Sequence, residues 1–108
     1  MAIPSQELSK RVFTYEEAAA LLPEVQRITA EAVEQVEALG EGEDLAEQYQ
    51  TIVGHWAESI IDLGVEVKGL WLIDFDCGSG YYCWQYPEAG LQFFHGYEDG
   101  FRGRVQLN

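Results

Sequence analysis

Basic residues are scarce in this chain. Six Lys and Arg stand against 19 Asp and Glu, a formal net charge of -13 over 108 residues. So acidic a surface repels phosphate, which argues against nucleic acid and anionic membrane surfaces as partners and leaves a cationic one as the natural expectation. Cysteine is scarcer still: Cys77 and Cys83 are the only two. The hairpin derived below puts them on opposite faces of neighbouring strands, so no disulfide is expected, and reduced thiols fit a cytoplasmic protein. Long apolar runs are missing as well. No segment approaches the roughly 20 apolar residues that span a bilayer. Met1 to Val12 mixes Pro4, Ser5, Gln6, Glu7, Lys10 and Arg11, with no signal peptide or anchor written in it. Internal repeats and low-complexity tracts are absent too.

What is present suits one domain over residues 1–108, long enough to bury a core without disulfide staples. The acidity is uneven. Residues 1–64 hold 13 acids and 3 bases, residues 65–108 hold 6 acids and 3 bases, and the acidic half is the half that reads as helix. Thr14 and Glu17 have the spacing of a capping box, with Phe13 placed to staple onto Ala18. Pro23 removes a backbone donor and disfavours helical geometry at Leu22, which predicts a short helix followed by a longer one from Pro23 to Leu39. Val25, Ile28, Ala32, Val36 and Leu39 then form one apolar stripe. A turn over Gly40 to Glu43 leads to a second helix, about 44–63, with its stripe at Leu45, Tyr49, Ile52, Val53, Trp56, Ile60 and Leu63 and a C-terminal cap at Gly64.

The remainder reads as β-structure, with strands at about 65–76, 81–86 and 91–95 and an irregular tail over 97–108. Pairing across the turn Cys77-Gly78-Ser79-Gly80 sets Asp76 near Tyr81, Phe75 near Tyr82, Asp74 near Cys83 and Ile73 near Trp84. One face is then aromatic and apolar, with Trp71, Ile73, Phe75, Tyr82, Trp84 and Tyr86, and is the face to pack on helices. The opposite face carries Asp74, Asp76, Cys83 and Gln85. The third strand has two candidate registers. A four-residue loop puts His95 beside Tyr82 on the aromatic face. A three-residue loop, with Gly90 in the left-handed position, puts His95 beside Cys83 and Phe93 beside Gln85; Gly90 favours the second. The expected fold is α+β, an N-terminal antiparallel helical hairpin packed with a three-stranded antiparallel meander.

Asp74, Glu88, His95 and Glu98 are the candidate ligands of a divalent metal (zinc, manganese, iron or nickel), with Cys83 and Arg104 as neighbours. The competing reading has Asp74 and Glu88 capping turns or pairing with Arg102 and Arg104, and His95 as a hydrogen-bonded rim residue. Cys83 would serve as a nucleophile only with His95 as its base and Asp74 orienting the ring; burial of such a thiol is the commoner fate. His55, Glu58 and Asp62 share a helix face that reads as solvated. The Glu-x-x-His pattern of di-iron bundles is absent, since Ile52 stands three before His55. Two functional readings follow. One is a small metal-binding protein with an unidentified small-molecule ligand, if any. The other is a metal-free homo-oligomeric interaction module, in which the helical stripes of two copies meet as a symmetric homodimer.

Phe13-Thr14-x-Glu16-Glu17-Ala18 with Leu21-Leu22-Pro23, then Leu63-Gly64-Val65-Glu66-Val67-Lys68, Asp74-Phe75, Cys83-Trp84, Glu88, His95 and Gly100-Phe101-x-Gly103-Arg104 occur in that order. In this the chain resembles the uncharacterised bacterial family called domain of unknown function 2203. Pro87 departs from the glycine usual before Glu88, and Gly96 from the acid often found after His95. The family brings no established activity. The resemblance implies that Asp74, Cys83, Glu88, His95 and Arg104 matter beyond solubility.

Overall fold

A computed structural model describes residues 11–107; the reading of Met1–Lys10 as lacking a leader or anchor lies outside them. The chain builds two helices, α1 (Tyr15–Glu37) and α2 (Leu45–Asp62), then five strands: β1 (Glu66–Gly69), β2 (Leu72–Asp76), β3 (Tyr81–Gln85), β4 (Phe93–His95) and β5 (Val105–Gln106). The strands form one antiparallel meander in the order β1-β2-β3-β4-β5. The α+β class is as expected, with five strands where three were predicted.

Thr14 starts α1 with a complete capping box: its hydroxyl accepts from Glu17 N at 3.0 Å, and the Glu17 carboxylate accepts from Thr14 N at 2.9 Å. The expected break at Pro23 does not occur; α1 runs through it. Pro23 is exposed, and buried residues before and after it, Ala18 and Leu22 on one side, Val25 and Thr29 on the other, hold both halves of the helix to one core. That packing outweighs one missing backbone bond. Helix α2 stops where Gly64 adopts φ 85° and donates to Ile61 O at 2.8 Å, a conformation cheap only for glycine.

The core contains Phe13, Leu22, Val25 and Ala32 from the first helical region, Trp56 and Ile60 from α2, and Ile73, Phe75 and Trp84 from the sheet. Phe13 meets Phe75 edge-to-face at 5.1 Å, and the buried Trp56 indole donates to Thr29 Oγ1 at 2.8 Å. The β2–β3 register is as read from the sequence, including Asp74 opposite Cys83 and Ile73 opposite Trp84.

Three strand expectations are corrected. Residues 65–76 are two strands, because the chain reverses at Leu70-Trp71 and pairs β1 back onto β2, Glu66 opposite Asp74. Trp71 takes φ 59° there, and its ring is held at 4.8 Å from Trp56. The tail is ordered: a 3-10 turn at Phe101–Gly103 leads into β5, which pairs with β4. The third correction concerns register. Neither predicted loop forms; His95 lies opposite Tyr81, and Phe93 opposite Cys83 rather than Gln85. The connection uses Glu88 instead of Gly90, since Glu88 N donates to Gln85 O and Gln85 N donates back to Glu88 Oε1 at 2.9 Å, which lengthens the loop. A shift of two residues from the Cys83 register preserves parity, so His95 still faces the Asp74 side.

Candidate functional site

The sheet has two unlike faces. One carries Ile73, Phe75 and Trp84 into the core, and the other carries Asp74, Cys83 and His95 from three successive strands. The segment after His95 folds over this second face, and Tyr97, Gly100 and Phe101 help to enclose a cavity of about 240 Å³ whose floor includes Leu72, Asp74, Cys83 and His95, with Lys68 at its side. Gly80 lets β4 come this close, because a Cβ there would stand 2.6 Å from His95 O.

Asp74, Cys83 and His95 are all buried, and one ligand atom from each falls within 4.8 Å of the others. His95 Nε2 is 2.9 Å from Asp74 Oδ2 and His95 Nδ1 is 2.9 Å from Gly96 O. A carbonyl oxygen only accepts, so Nδ1 carries a proton and donates it. The Nε2 side therefore needs one proton shared with the Asp74 carboxyl, or a cation in its place. Asp74 Oδ1 is buried with no hydrogen-bond partner among the described residues. Lys68 Nζ is 3.9 Å from Oδ2, too far for a hydrogen bond, and is closer to Glu66, at 3.2 Å. Burial pushes the Asp74 carboxyl above its ordinary range, opposed by His95.

Burial, followed by the Asp74 charge, pushes the Cys83 thiol up to about 12, against the pull of Arg104. Such a thiol is inert as a nucleophile at neutral pH. In metal-free native protein at pH 8, a disulfide exchange reagent should therefore titrate one thiol, that of the half-buried Cys77, and the second only after denaturation. With Cys77→Ser the native count should fall to zero, and two fast native thiols would contradict the burial of Cys83.

Glu88 and Glu98, the other candidate ligands, are not part of this cluster, whereas the candidate neighbour Arg104 touches it. The Glu88 carboxylate is bound by Arg104, at 2.9 Å and 3.1 Å, and by Gln85 N. Arg104 itself is wedged between the rings of Phe93 and Phe101 at 3.9 Å and 4.0 Å, with its Nη1 3.9 Å from Cys83 Sγ. This pair ties the roof of the cavity to the β3–β4 loop. Glu98 is exposed on the roof segment, outside the three-residue cluster. Sequence reasoning missed Lys68, Leu72, Tyr97 and Phe101 as cavity walls. Lys68 could have been found only by recognising the β1–β2 reversal, since Glu66 opposite Asp74 puts Lys68 on the same face. No helix among the described residues is long and apolar enough to cross a membrane.

The fold and site define a small α+β protein with a buried carboxylate–imidazole–thiol cluster on the outer face of its sheet. The chain belongs to the family described as uncharacterized conserved protein (DUF2203), whose profile matches residues 40–107, from α2 through every residue of the cluster. Comparison with curated proteins and with solved structures finds no match.

Proposed function

We propose that this protein binds one divalent transition-metal ion through Asp74, Cys83 and His95, zinc being the ion best suited to this mixed oxygen, sulfur and nitrogen set. The observation that carries the reading is the bare, buried Oδ1 of Asp74 beside an imidazole whose Nδ1 proton is already committed to Gly96 O. A ligating histidine is commonly fixed by just such a donation to a backbone carbonyl, which aims its other nitrogen at the metal. A cation would satisfy Oδ1 and use the Nε2 lone pair in place of the shared proton. Ligands of one zinc stand at about 2.0–2.3 Å from it, so the three atoms need only small side-chain rotations to converge.

With three protein ligands, the fourth position would face the cavity. That is the pattern of zinc sites that act on a substrate. The ion would supply Lewis acidity there, while Leu72, Phe101 and Tyr97 limit water and Arg104 with Glu88 holds the roof. Glu88 and Glu98, expected as ligands from the sequence, are not needed by this set.

Cobalt(II) is the informative probe. Protein titrated with it should take up one equivalent, develop the visible bands of a tetrahedral site, and show a near-ultraviolet thiolate-to-cobalt band that Cys83→Ser abolishes. Zinc should raise the melting temperature in proportion to the logarithm of its concentration, and His95→Ala should remove that rise. Melting curves unchanged by zinc, manganese, iron and nickel would sink the reading.

A further inference from the structure

Burial of apolar side chains extends along the helical hairpin as far as Ala32 and Val33 in α1 and Ile52 in α2, and no residue from 34 to 51 is buried. The apolar stripes continue past that limit. Val36, Leu39, Leu45, Ala46 and Tyr49 line an open groove of about 540 Å³ between the two helices near their connecting turn. Leu45 is 40% and Tyr49 36% exposed, and among the described residues no strand packs on this end, since the helix–sheet packing runs chiefly between α2 and β1. What distinguishes these side chains from scattered surface hydrophobics is that they line one contiguous, mainly apolar groove, the arrangement that marks interaction surfaces.

Charge decides what that partner is. From residue 28 to residue 67 the chain has ten acids and no lysine or arginine. Glu34, Glu37, Glu41, Glu43, Asp44 and Glu47 are all exposed on the same stretch of chain as the groove's lining, and Asp44 and Glu47 line the adjoining recess, which shares Leu39 with it. A second copy of the chain would bring the same uncompensated acids against these, at short range and in low dielectric, whereas a cationic helix would neutralise them. From this juxtaposition we propose that the distal groove of the hairpin docks a basic amphipathic helix of another protein, its apolar stripe on Leu39, Leu45 and Tyr49 and its Lys or Arg side chains against the acidic rim. The site is separate from the Asp74 cluster, and neither proposal depends on the other.

The test uses the whole chain and a synthetic 18-residue helix with leucine at one-face spacing and lysine elsewhere. Amide shifts on titration should concentrate at Val36, Leu39, Ala46 and Tyr49, and the Kd should weaken about tenfold as sodium chloride rises from 50 to 300 mM. The double variant Leu45→Gln/Tyr49→Gln leaves every charge in place and alters two half-exposed side chains. It should weaken binding at least tenfold while keeping the parent circular dichroism spectrum. Equal binding by that variant would mean diffuse charge attraction and would overturn the proposal. So would shifts centred on the sheet, or tight self-association of the chain through the same residues with no peptide binding.

Discussion

Without metal, the double variant Asp74→Leu/His95→Leu should be as stable as the parent or more stable, while Phe75→Ala should lose about 3–5 kcal/mol. Asp74 and Phe75 are neighbours in β2 and lie on opposite faces of the sheet, with His95 of β4 on the Asp74 face. Phe75 is fully buried against Phe13 in the core, so truncation leaves a void that the two helices and the sheet fill poorly. Asp74 is buried as deeply, but what it buries is a carboxylate with one oxygen unpartnered. Exchanging a buried, incompletely satisfied polar pair for apolar side chains is commonly neutral or stabilising by about 1–4 kcal/mol, and the adjoining cavity has room for the added volume. Single substitutions would be less clean, because each leaves the other partner buried alone. Chemical denaturation of the metal-free proteins reads the outcome. A double variant destabilised by more than about 2 kcal/mol would make Asp74 and His95 part of the framework rather than residues kept at a cost to stability. With saturating zinc the parent should gain about 2.7 kcal/mol at 100 times Kd, a gain the double variant lacks.

Much of this contrast could be read from residue order, because it depends on parity rather than on exact register. A strand alternates faces, so once Gly78-Ser79-Gly80 marks a tight reversal, Asp74 and Cys83 must share one face and Phe75 and Trp84 stay off it. The β2–β3 pairing agrees residue for residue. His95 reached the expected face by a different register from either one considered, since a slip of two residues keeps parity and a slip of one would not. What was not legible depends on contacts between distant residues. The Glu88 side chain closing onto Gln85 N sets the β3–β4 loop length, and no local pattern marks a glutamate for that role. The roof and β5 owe their order to Arg104 lying between Phe93 and Phe101, so a stretch with no periodicity of its own reads as tail. Pro23 shows the converse. A strong local signal for a break was overridden by core contacts on both sides of it.

Zinc uptake at neutral pH should release about two protons per ion, so that the apparent association constant rises about 100-fold per pH unit. The count comes from the hydrogen bonds. In the metal-free site, His95 Nδ1 holds the proton it donates to Gly96 O, a second proton lies between His95 Nε2 and Asp74 Oδ2, and the third is on the Cys83 thiol, whose pKa of about 12 keeps it protonated well above neutrality. A cation bound by Nε2, the carboxylate and the thiolate displaces the second and third and leaves the first. The sign follows: affinity grows with pH because the bound state holds fewer protons, and the dependence persists until the free site loses one of the two by itself. Calorimetric titration at fixed pH in buffers of different ionisation enthalpy measures the number directly as a slope. Cys83→Ala should reduce it to about one, since only the shared proton is then displaced. Asp74→Asn should also reduce it to about one, because an amide can donate to Nε2 without a shared proton and only the thiol proton remains to leave. A slope near zero in the parent would mean that the ion binds outside the cluster, and a slope near one would mean that the thiol takes no part and would remove Cys83 from the ligand set.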